Sequence, residues 1–392
     1  MGDILQKMIS DQNKRSSSHE TVERILIYWP FSYFSEVHVI KEAGGIAYAF
    51  TKLGKEVELV IGKLKCAPLE GIKVFETGNL SFYSWKDCVR ELVEVPKILL
   101  KGNYSTIIVF NSGPLNPLIF LLYKLFSLHK KPEHIHNKPK LILKLDSDGT
   151  LRGYSNIKLI AYKIMLKLSS HLFDVLTIES SEAIANIIKN IKINKVKIKY
   201  VPNGYSSDYF PQANYSDFKR NDVVISVSRV SREKGLEILV NAFALVSDEF
   251  PSWTLLIAGQ FDDWSYFKEI TNLVEKFHLE NRIFLLGNLD KQRVRELYLN
   301  SSIFAQVSLR ESFGIARLEA MASGLPVISS ESGNGNQLRE YGAIVLRCGD
   351  IESTANSLRS LMSSEKLRKS IADKQSHNLR SWDDISLEFL RT

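Results

Sequence analysis

The chain has 392 residues, 44% of them apolar and 24% charged, a globular composition able to bury a sizeable core. That length exceeds one ordinary core and points to two domains of roughly 150–200 residues each. The net charge of +7 is uneven: residues 1–200 hold 29 Lys/Arg against 19 Asp/Glu, and the remainder holds 22 against 25. A basic first half beside a near-neutral second half points to an anionic contact (a membrane surface, a lipid phosphate or nucleic acid) or to a merely solvated face. The basic residues are not interleaved with the aromatic pattern of any nucleic-acid module, so nucleic acid is not expected as a partner.

Residues 1–20 are polar, lack the apolar stretch of a signal peptide, and read as a mobile tail. Cys66, Cys88 and Cys348 lie far apart and match neither a disulfide framework nor a zinc site, so a reducing, cytoplasmic setting is expected. Short β-branched runs then alternate with helical patterns, the sign of parallel sheets covered by helices. The first series of strands is expected at 24–29, 57–61, 106–111, 141–145, 175–179 and 199–201. The stretch from Pro117 to Leu128 is too short to span a bilayer. It reads either as a buried helix or as an interfacial one, with Phe120, Leu121, Phe126 and Lys130-Lys131 as anchors. Residues 202–211 contain two prolines and a glycine and form a turn-rich linker. Beyond it a second series is expected at 223–228, 254–258, 283–286, 303–307, 327–329 and 343–346, with helices at 235–248 and 290–300. Two doubly wound domains follow, spanning 21–205 and 206–370, with ligand bound at the carboxyl ends of the strands between them.

The segment from Glu311 to Glu319 is the most informative. A strand ending near Val307 leads into a helix expected from Ser312, the candidate N-cap, to about Ser323, with Gly324 closing it. The free amides of Phe313, Gly314 and Ile315 would then face an anionic group. Helical rise of about 1.5 Å per residue would place the two glutamates roughly 12 Å apart, the span of a nucleotide-sugar across its pyrophosphate. Arg229 and Lys234 leave the end of the strand at 223–228, where two cations could grip a diphosphate that gains charge as it departs.

These elements together resemble the family 4 glycosyltransferases, which have the GT-B fold of two Rossmann-like domains facing a cleft. The stretch from Ala43 to Gly54 is similar to the family's opening glycine loop and helix. Residues 201–210 are similar to its interdomain linker, and Glu311 with Glu319 to its E-x(7)-E motif. Residues 283–287 resemble the strand whose backbone meets the base, and Ser381-Trp382 with 385–390 the terminal helix, expected within 371–392, that crosses back to the first domain. The resemblance implies a retaining, metal-independent enzyme that takes a hexose from a nucleoside-diphosphate sugar to a glycan or lipid-linked acceptor. It implies that Glu311 meets the transferred sugar and Glu319 the ribose. Arg229, Lys234, Leu286, Phe313, Gly314 and Ile315 would complete the donor site, with Gly44 and Gly45 approaching from the other domain. Where the family commonly has a His, this chain reads Lys144-Leu-Asp146-Ser-Asp148, so Asp148, or else Asp146, is the candidate for that role. An inverting transferase or epimerase of the same fold, and a non-catalytic binder, remain the alternative readings.

Overall fold

The computed structural model describes residues 22–78, 85–111, 115–128, 138–146, 156–191 and 197–392. The polar tail and Asp148 lie outside the described residues. The first domain contains β1 (Arg24–Tyr28), β2 (Phe34–Ser35), β3 (Glu56–Ile61), β4 (Leu64–Lys65), β5 (Ile72–Glu76), β6 (Thr106–Phe110), β7 (Lys140–Leu145), β8 (Val175–Ile178) and β9 (Ile198–Tyr200). Seven of these form one parallel sheet in the order β5-β3-β1-β6-β7-β8-β9, while β2 and β4 pair separately. Runs such as Thr106–Phe110 are buried along their whole length because helices cover both faces of the sheet.

The helices of this domain are α1 (Glu36–Ile40), α2 (Glu42–Lys52), α3 (Trp85–Lys101), α4 (Asn116–Ser127), α5 (Asn156–Leu172) and α6 (Ser181–Ile191). Ile25, Ile27 and Leu59 pack on the α2 side, whereas Leu26, Val60 and Val109 pack with residues of α3 to α6, the alternation that a pleated strand requires.

The second domain repeats the plan with β10 (Val223–Val227), β11 (Thr254–Ala258), β12 (Ile283–Gly287), β13 (Ile303–Gln306), β14 (Val327–Ser330) and β15 (Ile344–Leu346). Their order is β12-β11-β10-β13-β14-β15, again parallel throughout. Its helices are α7 (Leu236–Ser247), α8 (Trp264–Lys276), α9 (Lys291–Asn300), α10 (Ile315–Ala322), α11 (Gly335–Glu340), α12 (Ile351–Ser363) and α13 (Glu365–Ser376). The edge strand β5 and the short pair β2–β4 are additions to the expected elements.

The returning helix, α14 (Trp382–Arg391), begins later than residue 371 because α13 runs unbroken to Ser376. Ser381 caps α14 through the backbone amide of Asp384, and the Trp382 indole donates to the Ile40 carbonyl at 3.2 Å. Tyr205 and Phe210 of the linker are buried, and the rings of Phe210 and Tyr298 stand 5.8 Å apart. One apolar cluster thus continues from β1 through the linker and α14 into α10.

Candidate active site

In the second sheet β10 and β13 are neighbours at the point where the strand order reverses. Loops leaving the carboxyl ends of such a pair open side by side, which is where doubly wound folds bind ligands. The loop after β10 carries Arg229 and Lys234, and the loop after β13 carries Glu311.

Glu311 is almost fully enclosed, its side chain 7% exposed. Its Oε1 accepts from Lys234 Nζ at 2.7 Å, Gln306 Nε2 at 2.8 Å and Ser308 Oγ at 3.1 Å. Burial pushes this carboxyl up, but the Lys234 ammonium, the Arg317 guanidinium and the Ser308 hydroxyl outweigh it and hold it below its ordinary value. The result is a carboxylate fixed in charge and position.

Arg317 is wholly buried behind it. Its Nε donates to Gln306 Oε1 at 3.3 Å, and its Nη1 to Ser329 Oγ at 2.8 Å and to the Ser332 carbonyl at 3.0 Å. Nη2 stands 4.0 Å from Glu311 Oε1. The guanidinium therefore ties β13, β14 and the loop after β14 to the same carboxylate.

The helix after Glu311 starts two residues later than expected from its sequence. Gly314 rather than Ser312 is the N-cap, in the left-handed region at φ 91°, and α10 begins at Ile315. Phe313, 1% exposed, is an apolar anchor that pins the loop and leaves Glu311 outside the helix. The spacing of 1.5 Å per residue therefore does not apply from Glu311 to Gly314. The first free amides are those of Ile315 and Ala316, since Arg317 N already donates to the Gly314 carbonyl. A Cβ on Gly314 would also lie 2.7 Å from Arg317 Nε, so the position needs glycine for two reasons.

Glu319 is buried inside α10 with Lys291 Nζ 3.5 Å away. Burial raises this carboxyl, and Lys291, then Lys41 of the first domain, then the Tyr298 hydroxyl more than reverse that. Burial pulls the Lys291 ammonium down to about 8, with Glu319 opposing. A cavity of about 460 Å³ opens between the domains at Lys291, with Tyr48, Cys66, Glu70, Tyr209 and Asp290 among its walls. Leu286, 37% exposed, lies near the end of β12.

Arg229 does not join Lys234. Its guanidinium is 58% exposed and pairs with Asp262 at 2.9 Å and Glu233 at 3.1 Å.

Across the cleft, Gly44 and Gly45 are closely packed. Both lie inside α2. A Cβ would stand 2.3 Å from the Val39 carbonyl oxygen at Gly44, and 2.4 Å from the Trp382 ring at Gly45. They let α1 and α14 close on α2; their structural role is packing.

The first domain places a second charged cluster at the carboxyl ends of β7 and β8. Lys144, 1% exposed, is ion-paired with Asp146 and lies 3.7 Å from Glu179. Asn203 of the linker donates to Glu179 at 2.5 Å. Among the described residues, no donor reaches Asp146 Oδ2 or Glu179 Oε1. Burial first, and then the Asp146 charge, raise Glu179 well above the usual carboxylate range and Glu42 to about 8. Three carboxyls here crowd one buried ammonium, with Lys41 as a weaker second cation for Glu42.

Sequence reasoning missed Gln306, Arg317, Lys291, Glu42 and Glu179. Arg317 alone left a visible signal, a lone cation within the apolar run from Ile315 to Ala322. Nothing local links Lys291 to Glu319, 28 residues away.

Comparison with known proteins agrees with this geometry. Residues 212–377 match the family model of Glycosyl transferases group 1. An uncharacterized glycosyltransferase of Methanocaldococcus jannaschii is 28% identical over 228 residues, covering 55% of this chain and 52% of that protein. The phosphatidylinositol N-acetylglucosaminyltransferase of Arabidopsis thaliana includes a polypeptide that is 24% identical over 244 residues, covering 61% of this chain and 53% of that one. The chain thus spans about half the length of these relatives. The crystal structure of Anabaena HepE in complex with UDP and glucose superposes with a TM-score of 0.71 at 18% identity, covering 94% of this chain and 98% of that one. With two parallel Rossmann-like sheets joined by a returning helix, the chain has the GT-B fold, and its residues 212–377 are similar to the Glycosyl transferases group 1 family.

Proposed function

We propose that this chain moves a hexose from a nucleoside-diphosphate sugar to a glycan or lipid-linked acceptor, retaining anomeric configuration without a bound metal. The observation that carries the proposal is the Glu311–Lys234 pair, seated where β10 and β13 part. In the proposed step the bond from the anomeric carbon to the leaving diphosphate oxygen breaks. The acceptor oxygen bonds to that carbon on the same face, and its proton passes to the departing phosphate oxygen. Lys234 and the amides of Ile315 and Ala316 offset the charge that the diphosphate gains, and a site of fixed dipoles does this without reorganising. Glu311, held ionised, accepts from a hydroxyl of the transferred sugar and favours positive charge at its anomeric carbon. Glu319 accepts from the ribose hydroxyls, and Leu286 lies beside the base. Arg229 swings from Asp262 to the diphosphate, and Asp146 or Asp148 meets sugar hydroxyls from the first domain.

Two likenesses support the donor and acceptor classes: the fold shared with a protein crystallised with UDP and glucose, and the relative named for transfer to phosphatidylinositol. The proposed setting is cytoplasmic, at the surface of a membrane that presents the acceptor. Glu311→Gln keeps the shape of the side chain and removes its charge, so transfer should fall about 10²–10³-fold in a variant that still folds. Full activity in that variant would end the assignment. NMR of the product's anomeric proton tests the stereochemistry, and an inverted product would reject retention.

A further inference from the structure

The face of the first domain away from α2 and α14 is built by α3, α4, α5 and α6. Helix α4 buries Ile119, Phe120 and Tyr123 against the sheet. It turns Leu118 and Leu121 outward, 43% and 44% exposed, and Leu128 just past its end is 79% exposed. At 100° per residue these two sets lie on opposite sides of the helix. Phe120, expected as a surface anchor, is therefore a core residue, and Lys130-Lys131 lie outside the described residues.

Helix α5 repeats the pattern. Leu166 and Ser169 face inward, and Ile160, Ile164 and Leu168 are 58%, 54% and 50% exposed. The spacing of four keeps those three on one stripe. Helices α4 and α5 pack side by side, so the two stripes join into one apolar band. Helix α3, which begins at the 72% exposed Trp85, packs against α4 on its other flank. Monomeric surfaces scatter large aliphatic side chains singly, and a contiguous band of them marks a contact surface.

Charge selects the partner. Helices α4 and α5 contain no Asp or Glu at all, and they carry Lys124, Lys158, Lys163 and Lys167. Lys124 turns to the Leu172 carbonyl, whereas Lys167 is exposed beside the band. A second copy of the same face would set lysine against lysine, which disfavours self-association. An anionic lipid surface meets both features, since acyl chains take the aliphatic stripe and phosphates take the ammonium groups. No described helix is long and apolar enough to cross a membrane, so contact would be in the interface plane.

We propose that the α4–α5 face docks on an anionic lipid bilayer, with Leu118, Leu121, Ile160, Ile164 and Leu168 entering the headgroup–acyl boundary. This deepens the lipid-linked reading of the acceptor but is tested without any donor, so its failure leaves the transfer reading standing. The full chain is floated with phosphatidylcholine vesicles, with and without phosphatidylglycerol, at low and high salt. Binding only to the anionic vesicles, weakened by salt and reduced at least about tenfold in Leu121→Glu/Ile164→Glu, is the expected result. Because those positions face out, the melting temperature should hold. If it does not, Lys163→Glu/Lys167→Glu gives the same readout through charge alone. No binding to either vesicle, equal binding to both, or binding unchanged in the variants would overturn the proposal. So would light scattering that shows a dimer dissolved by Leu121→Glu/Ile164→Glu, which would assign the face to a second copy.

Discussion

The two walls of the cleft handle buried charge in opposite ways. On the second-domain wall each carboxylate has its own cation: Glu311 has Lys234, with Arg317 behind it, and Glu319 has Lys291. Both carboxyls are held below their ordinary range, although burial opposes this. On the first-domain wall Glu42, Asp146 and Glu179 crowd the buried Lys144, with Lys41 acting more weakly on Glu42, and Glu42 and Glu179 are pushed up. Burial is similar on the two sides, so the ratio of cations to carboxyls decides the outcome. One wall offers fixed negative charge. The other carries protons at neutral pH, and so can donate hydrogen bonds as well as accept them.

The largest test removes the cation from the balanced wall. Arg317→Met should cost about 3–5 kcal/mol in chemical denaturation, the range for stripping one partner from a buried ionic network. A loss under about 1 kcal/mol would show that Glu311 and the β14 loop do not depend on the guanidinium, and the contrast between the walls would lose its basis.

Lys144→Met applies the same change to the crowded wall and should behave differently with pH. Without the ammonium, which now opposes their rise, Glu42 and Glu179 hold their protons to still higher pH, so the loss should be about 1–2 kcal/mol at pH 6 and larger at pH 9. The reason is that the folded variant keeps protons that the unfolded chain releases, and stability then falls as pH rises. A loss independent of pH would mean that removing the ammonium does not change how Glu42 and Glu179 hold their protons.

Glu42→Gln is a smaller and cleaner version. With its folded value at about 8 and its ordinary value at 4.5, the folded state holds a proton across that window while the unfolded state does not. Glu42 therefore lowers stability progressively as pH rises from 4.5 to 8 and adds no further slope above that. The variant should melt about 2–4 °C higher than the parent at pH 8.5, equivalent to about 1 kcal/mol, and near the parent at pH 5. Equal melting at both values would place the proton elsewhere.

Much of this architecture could be read from sequence, and the limits have physical causes. Strands such as β6 and β13 are buried throughout and mostly apolar because both faces are covered, which makes them conspicuous. Edge strand β5, Ile72–Glu76, has exposed or half-buried residues at all but one position and gives no such signal. Lys234 and Glu311 could each be placed just after a strand, but their pairing depends on β10 and β13 being neighbours. The start of α10 did not follow, because a buried Phe313 and a left-handed Gly314 decide it and Ser312 is the better cap by type alone. Gly44 and Gly45 were visible as glycines, but their neighbours, Val39 and Trp382, are set by the closure of α1 and α14. Lys144 and Glu179 stand 35 residues apart in sequence and meet only because β7 and β8 are neighbours.

The smallest expected effect on stability carries a direct test of how the donor is gripped. Arg229 is largely exposed and shares its charge with Asp262 and Glu233, so Arg229→Ala should change stability by less than about 0.5 kcal/mol. If the guanidinium swings to the diphosphate, the same change should raise the donor KM and lower kcat/KM about tenfold or more, because a charge-assisted contact of roughly 1.5–3 kcal/mol is lost. Lys234→Ala should instead depress kcat, since Lys234 already sits against Glu311 and the balanced wall depends on it. Matching kinetics in the two variants would mean that the cations act as one unit. Unaltered kinetics in Arg229→Ala would leave Lys234 and the α10 amides as the whole diphosphate site, with Arg229 as surface charge.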